Sequence, residues 1–282
     1  MKFVEILKPF LPKLIRTMGR RSIQLGRSLF EKFCFWQRLR NAPPVLIYQM
    51  GKVASSSIYK SLVSSYPGIV LRSHHFGPTV DDWKVRHLYR CFERGSLSLK
   101  VISLVREPVG RNVSAFFQCF ERDTGLPYAE FDGPPESLGE LFLSHYRHHL
   151  PLEWFDQHIL HNFGIDVFTT PFPERGYETY MAEKVELLVM KAELEDSCKA
   201  KILREFLSGN LGEFSLITRN VSRNKDYGQL YQEFRNKVKL PMAYVQRMCD
   251  SKYFRHFYDQ DVRESLLSQW VQESKERPLV LS

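Results

Sequence analysis

The stretch Leu99-Lys100-Val101-Ile102-Ser103-Leu104-Val105 limits the fold more than any other feature of this chain. It is rich in β-branched and aliphatic residues and Pro108 stops it shortly afterwards, which makes it the clearest strand of the chain. Val45-Leu46-Ile47-Tyr48, after the breaker Asn41-Ala42-Pro43-Pro44, reads as a second buried strand, and Ile69-Val70-Leu71, after Tyr66-Pro67-Gly68, as a third. Serines 55 to 57 open an amphipathic helix carrying Ile58, Leu62 and Val63, a helix is predicted around Val85–Glu93, and another begins near Val109 and runs through Phe116 and Phe117. Strand alternating with helix in this way predicts a parallel sheet with crossover helices.

Further on, Gly164-Ile165-Asp166-Val167-Phe168 and Val185-Glu186-Leu187-Leu188-Val189-Met190 read as two more strands, the second followed by an acidic helix start at Glu193-Leu194-Glu195-Asp196-Ser197. Beyond Arg219 the pattern is mostly helical, closing in a helix from about Asp261 to Gln272. The expectation is one domain over residues 45–282, preceded by an arm of residues 1–44.

Charge separates the arm from the domain. The formal net charge is +8, and all of it lies in residues 1–44, where ten lysines and arginines meet only Glu5 and Glu31. No basic excess remains for a domain-wide nucleic-acid surface. In the arm, Val4, Leu7, Leu11, Leu14 and Met18 fall at helical spacing among basic residues, and Phe30, Phe33, Phe35 and Trp36 follow. Two readings fit that make-up: residues 1–40 lie on an anionic membrane surface, or a helix packs its apolar face on the domain. Pro9 and Pro12 argue against one long straight helix. No stretch approaches the roughly 20 apolar residues needed to cross a bilayer, and no secretory leader pattern is visible, so the expected location is cytoplasmic with peripheral membrane association. The five cysteines are far apart and never form C-x-x-C, which reads as reduced thiols.

Two segments could carry chemistry. Tyr48-Gln49-Met50-Gly51-Lys52-Val53-Ala54-Ser55-Ser56-Ser57 joins a buried strand to a helix, so its exposed amides, three hydroxyls and one lysine would meet a phosphate at the helix N-terminus. A serine N-cap beside an ordinary lysine explains one serine, but not three together with Gly51 and Lys52. The Walker A pattern is absent, which disfavours an ATPase or GTPase. The second segment, Val105-Arg106-Glu107-Pro108, puts an arginine at a strand end, with Ser114 on the following helix able to reach the same anion.

Together the two segments resemble the superfamily of sulfotransferases that use PAPS (3′-phosphoadenosine-5′-phosphosulfate). Lys52-Val53-Ala54-Ser55-Ser56-Ser57 is similar to the 5′-phosphosulfate loop of the carbohydrate branch, with Gly51 in place of a proline. Arg106-Glu107-Pro108, Arg111 and Ser114-Ala115-Phe116-Phe117 are similar to its 3′-phosphate segment, and Asn224-Lys225-Asp226-Tyr227 resembles the late loop that closes over that phosphate. Trp154-Phe155-Asp156, Gly164-Ile165-Asp166-Val167 and the tail from Ser251 to Tyr258 resemble bacterial capsular polysaccharide synthesis proteins, a likeness spanning roughly residues 45–272.

The resemblance implies an α/β, P-loop-like, three-layer domain with a central parallel sheet flanked by helices. It implies sulfuryl transfer from PAPS to a hydroxyl of a carbohydrate or glycolipid acceptor, without a metal and without nucleic acid. Lys52, Val53, Ala54, Ser55, Ser56 and Ser57 would hold the 5′-phosphate, with Lys52 also neutralising the leaving group, while Arg106, Ser114 and Lys225 would hold the 3′-phosphate. The family usually employs a histidine or glutamate base. Here His74 and His75 follow the strand Ile69-Val70-Leu71, and outward alternation favours His75, with His74 the alternative. The cluster His145, Arg147, His148, His149, followed by His158 and His161, lacks ligand spacing for a metal and could instead hydrogen-bond a polyanionic acceptor. Two other classes share the strand–loop–helix: an ATP-using kinase-like transferase, which would want an acidic Mg²⁺ ligand at a strand end, and a noncatalytic membrane-docked nucleotide-binding module.

Overall fold

The computed structural model describes residues 20–217 and 227–272. Val4, Leu7, Leu11, Leu14, Met18 and Lys225 lie outside the described residues. In chain order the elements are α1 (Arg20–Asn41), β1 (Val45–Tyr48), α2 (Ser55–Ser65), β2 (Val70–Ser73), α3 (Trp83–Glu93), β3 (Leu99–Val105) and α4 (Pro108–Thr124). Then come α5 (Pro135–His145), α6 (Leu150–Trp154), a π-helical turn (Phe155–Leu160) and α7 (His161–Phe163), followed by β4 (Tyr177–Ala182), β5 (Val185–Lys191) and α8 (Asp196–Phe206). The described chain closes with α9 (Gly228–Lys237), α10 (Met242–Cys249), α11 (Lys252–Phe257) and α12 (Gln260–Trp270).

The strands form one sheet in the order β2-β1-β3-β5-β4. β1 pairs in parallel with β2 and β3, and β3 pairs in parallel with β5. Every residue of β1 and all of β3 except Lys100 is buried, as a sheet flanked by helices requires. The all-parallel expectation needs one correction, since β4 runs antiparallel to β5 as an edge strand. Its residues Tyr177, Glu178, Tyr180 and Ala182 are half-buried and Thr179 and Met181 exposed, so the strand needs no continuous apolar run. The strand expected at Gly164–Phe168 does not form. Gly164, at φ 67°, ends the preceding helix, and the Asp166 side chain accepts from the Phe168 amide at 2.9 Å, bending the chain into a 3₁₀ turn at Val167–Thr169.

The last turns of α1 pack on the domain. Phe35 is 3% exposed against Trp83 and His87, and Arg38 Nη2 donates to the Tyr66 carbonyl at the end of α2 at 2.9 Å. Leu29, Phe30, Phe33 and Trp36 on the same helix remain exposed. The five cysteines are free thiols, and no helix among the described residues is long and apolar enough to cross a membrane.

Because Phe35 fills a core position and Phe33 does not, the two should respond differently to truncation. Phe35→Ala should lower unfolding free energy by about 3 kcal/mol, and Phe33→Ala should change it by less than about 0.5 kcal/mol. Urea denaturation of both variants measures this, and equal losses would show that α1 does not dock through Phe35.

Candidate functional site

The loop between β1 and α2 is held from behind by two arginines of β3–α4. Arg111 donates from Nη2 to the Met50 carbonyl at 2.6 Å and from Nε to the Gly51 carbonyl at 3.2 Å, and Arg106 donates from Nη1 to the Lys52 carbonyl at 2.9 Å. In a trans peptide the N–H points opposite to the C=O. With three consecutive carbonyls turned onto the arginines, the amides of Lys52 and Val53 point away from them, while the Gly51 amide donates to Gln49 Oε1 at 2.6 Å. Gly51, Lys52 and Ala54 all have left-handed backbone, at φ 83°, 60° and 60°. For Lys52 and Ala54 this costs about 1 kcal/mol each, a strain that persists only where surrounding contacts fix it. Alternation of this kind gathers amide hydrogens into an anion-binding concavity.

Ala54 is the N-cap of α2 and has no side-chain acceptor, so a serine does not cap this helix. Ser55 begins the helix and is buried, Ser57 is half-buried, and the exposed Ser56 accepts from Arg72 Nη1 at 3.0 Å. Of the three serines, Ser56 is thus drawn to the edge strand β2. Lys52 is half-buried within the loop. Ser114 is half-buried in the second turn of α4.

The Arg106 peptide is fixed from far along the chain. Tyr253 of α11 donates its hydroxyl proton to the Arg106 carbonyl at 2.9 Å and accepts from the Arg106 amide at 3.1 Å. Next to it, Glu107 caps α4 by accepting from the Gly110 amide at 2.9 Å. Burial pushes its carboxyl up to about 7, against the pull of the Arg106 charge and the Gly110 hydrogen bond.

His74 and His75 part company once β2 ends at Ser73. The Ser73 hydroxyl accepts from the His75 amide at 3.1 Å, so strand alternation stops there. His74 Nδ1 sits 2.7 Å from the Gln49 carbonyl, which can only accept, so Nδ1 carries the proton and Nε2 is the basic nitrogen. Its ring covers Gly51, with Cε1 only 3.3 Å from where a Cβ would stand. His75 instead faces His158, the ring centres 6.2 Å apart, across a cleft of about 620 Å³. In its wall Asn162 Nδ2 donates to the Tyr48 hydroxyl at 3.1 Å, leaving the Tyr48 proton for His158 Nδ1 at 2.9 Å. Burial, then the charges of His75 and His161, pull the His158 imidazole down to about 4, so it is neutral at physiological pH. The π turn carries His158 onto Trp154, the rings stacking at 3.9 Å.

The remaining histidines of the expected cluster are divided. His148 accepts from Tyr244 at 3.0 Å and donates to the Phe142 carbonyl at 3.0 Å, both nitrogens engaged inside the protein, whereas His161 lines the cleft beside His158. The supports that sequence reasoning left without a role are Arg111, Gln49, Tyr48 and Tyr253. Arg111 and Tyr253 both lie in segments that carry the resemblance, but Tyr253 is separated from Arg106 by 147 positions, and nothing local signals that contact.

Glu107 provides a test with a definite sign. Its folded pKa exceeds the ordinary 4.5, so the fold holds the proton more tightly, and the wild type loses stability as pH rises from 4.5 through about 7. Glu107→Gln keeps an acceptor for Gly110 without titrating. Its stability advantage over wild type should grow across that interval to about 3 kcal/mol at pH 8. Chemical denaturation at several pH values measures it, and an advantage that is constant or shrinks with pH would contradict the buried, proton-holding carboxyl.

Comparison with known proteins adds one finding. Residues 136–259 match the model of a family described as "Putative capsular polysaccharide synthesis protein". The match takes in less than half of the chain: it runs from α5 to the residue before α12, including the π turn, His158 and Tyr253, and leaves out the Lys52 loop and Arg106. No curated protein and no solved structure matches the chain. The stretches Trp154–Asp156, Gly164–Val167 and Ser251–Tyr258 lie inside the matched region, so the similarity to capsular polysaccharide synthesis proteins holds where those residues predicted it.

Proposed function

We propose that this protein is a sulfotransferase of P-loop-like fold that moves a sulfuryl group from PAPS to a hydroxyl of a carbohydrate or glycolipid. The observation that carries this reading is the loop at Gly51–Ala54, strained into left-handed backbone at Gly51, Lys52 and Ala54 and held by its carbonyls on Arg106 and Arg111, so that the peptides at its turn point their N–H groups away from the arginines, beside the uncapped start of α2, as an anion site requires. The likeness of residues 136–259 to capsular polysaccharide synthesis proteins supports a sugar as acceptor.

On this reading Lys52 stabilises the charge that builds on the 5′-phosphate as the sulfur–oxygen bond breaks, and the amides of Val53 and Ala54 with Ser55 and Ser57 hold that phosphate. The guanidinium N–H groups of Arg106 beyond the one that bonds the Lys52 carbonyl, together with Ser114 and Lys225, hold the 3′-phosphate. We assign the base to His74 ahead of His75, because the Gln49 carbonyl fixes its tautomer and its ring lies on Gly51. The acceptor oxygen forms its bond to sulfur while its proton passes to His74 Nε2, giving a sulfate ester and 3′-phosphoadenosine-5′-phosphate. His75 then serves to position the acceptor.

Two measurements test this. By calorimetry, 3′-phosphoadenosine-5′-phosphate should bind at least about tenfold more tightly than ADP, a difference of about 1.4 kcal/mol; equal affinities would remove the dedicated 3′-phosphate site. In single-turnover transfer from labelled PAPS, His74→Ala should lower the rate by about 10²- to 10⁴-fold with nucleotide affinity nearly unchanged, and Lys52→Ala should lose both. Loss in His75→Ala with full activity in His74→Ala would reverse the assignment.

A further inference from the structure

The cleft between the end of β2 and the π turn has more room and more chemistry than a proton transfer needs. Phe76 and Tyr89 meet edge to face in its wall at 5.2 Å, Asn162 and the neutral His158 offer hydrogen bonds, and Asp81 stands exposed at the rim. Among the described residues, no lysine or arginine lines it. Of the cations nearest in sequence, Lys84 pairs with Glu31 at 2.5 Å, and Arg86 donates to the carbonyl of Val80, a residue of the cleft wall, at 2.6 Å. Aromatic rings beside amide, imidazole and carboxylate groups match a sugar ring, which presents C–H faces and hydroxyl edges. The carboxylates Asp81 and Asp82 fix the sign of charge the cleft accepts.

We propose that this cleft binds a sugar unit of a neutral or amine-bearing glycan, and that Asp81 turns away glycans carrying carboxylates or sulfates. This deepens, and rests on, the reading of the neighbouring loop as a transfer site. It departs from a polyanionic acceptor held by the histidine cluster of His145, His148, His149, His158 and His161, since His148 has both nitrogens engaged while His158 and His161 line this cleft.

Titration calorimetry of the full chain without nucleotide, using maltotetraose, chitosan tetramer and tetragalacturonate at low salt, tests it. The neutral and amino sugars should bind, and the uronate should bind at least five- to tenfold more weakly, the scale of a like charge a few ångströms away in water. Asp81→Lys should reverse the order of chitosan tetramer and tetragalacturonate, and Asp81→Asn should bring them together. Both substitutions are at an exposed residue, and their melting curves check that the fold is kept. The inference is overturned if the uronate binds wild type as well as the neutral sugar, if Asp81→Lys leaves the order unchanged, or if none of the glycans binds. A uronate site insensitive to Asp81 would point to the cavity lined by Arg147, His149 and Arg247 instead. Nucleotide binding is read separately: glycan binding without affinity for 3′-phosphoadenosine-5′-phosphate removes the donor reading and leaves this one, and the converse removes this one alone.

Discussion

Arg111 is a guanidinium at 3% exposure, and the arrangement of the site follows from what it must find there. A buried cation costs several kcal/mol unless its donors are met. Met50 and Gly51 supply backbone carbonyls, Tyr146 a hydroxyl at 2.7 Å, and Asn112 a side-chain oxygen at 3.0 Å. Satisfying Arg111 in this way ties the loop to α4 and, through Tyr146, to the end of α5. It also commits the loop to left-handed backbone that Lys52 and Ala54 would not adopt unaided. The orientation of the loop amides is then a consequence of a buried charge in the layer beneath, set before any ligand arrives.

A second layer of support comes from the C-terminal helices. Tyr253 brackets both polar atoms of the Arg106 peptide, and Tyr258 bonds Glu193, which in turn accepts from the Glu107 amide at 3.2 Å. The strand end that carries Arg106 is therefore shaped by residues remote from it in sequence, within the region similar to capsular polysaccharide synthesis proteins. The π turn does the same on the other side, presenting His158 to Tyr48 and the cleft. The loop and Arg106 carry the charges, and the later helices hold the backbone that aims them.

How much of this was legible depended on whether the cause was local. β1 and β3 coincide with their apolar runs because breakers bound them and burial covers both faces. β4 was invisible because an edge strand needs no apolar continuity, and Gly164–Phe168 misled because its aliphatic residues outweighed the turn chemistry of Asp166. At the site, the Lys52 loop and Arg106 were readable as types of residue in a strand–loop–helix context. The partition of His74 and His75 was not, since it turns on the Gln49 carbonyl and on where β2 stops. Tyr253 could not have been found, because only tertiary folding brings it to Arg106.

On the proposed function, the loop around Lys52, oriented by Arg106 and Arg111, receives an anionic nucleotide. A proton–nitrogen NMR titration of the labelled protein with 3′-phosphoadenosine-5′-phosphate tests it most directly. The largest shifts should fall at the amides of residues 52–57 and at Arg106–Ser114, with little change in α9 and α12. Shifts gathered elsewhere, with those amides unmoved at saturation, would contradict it.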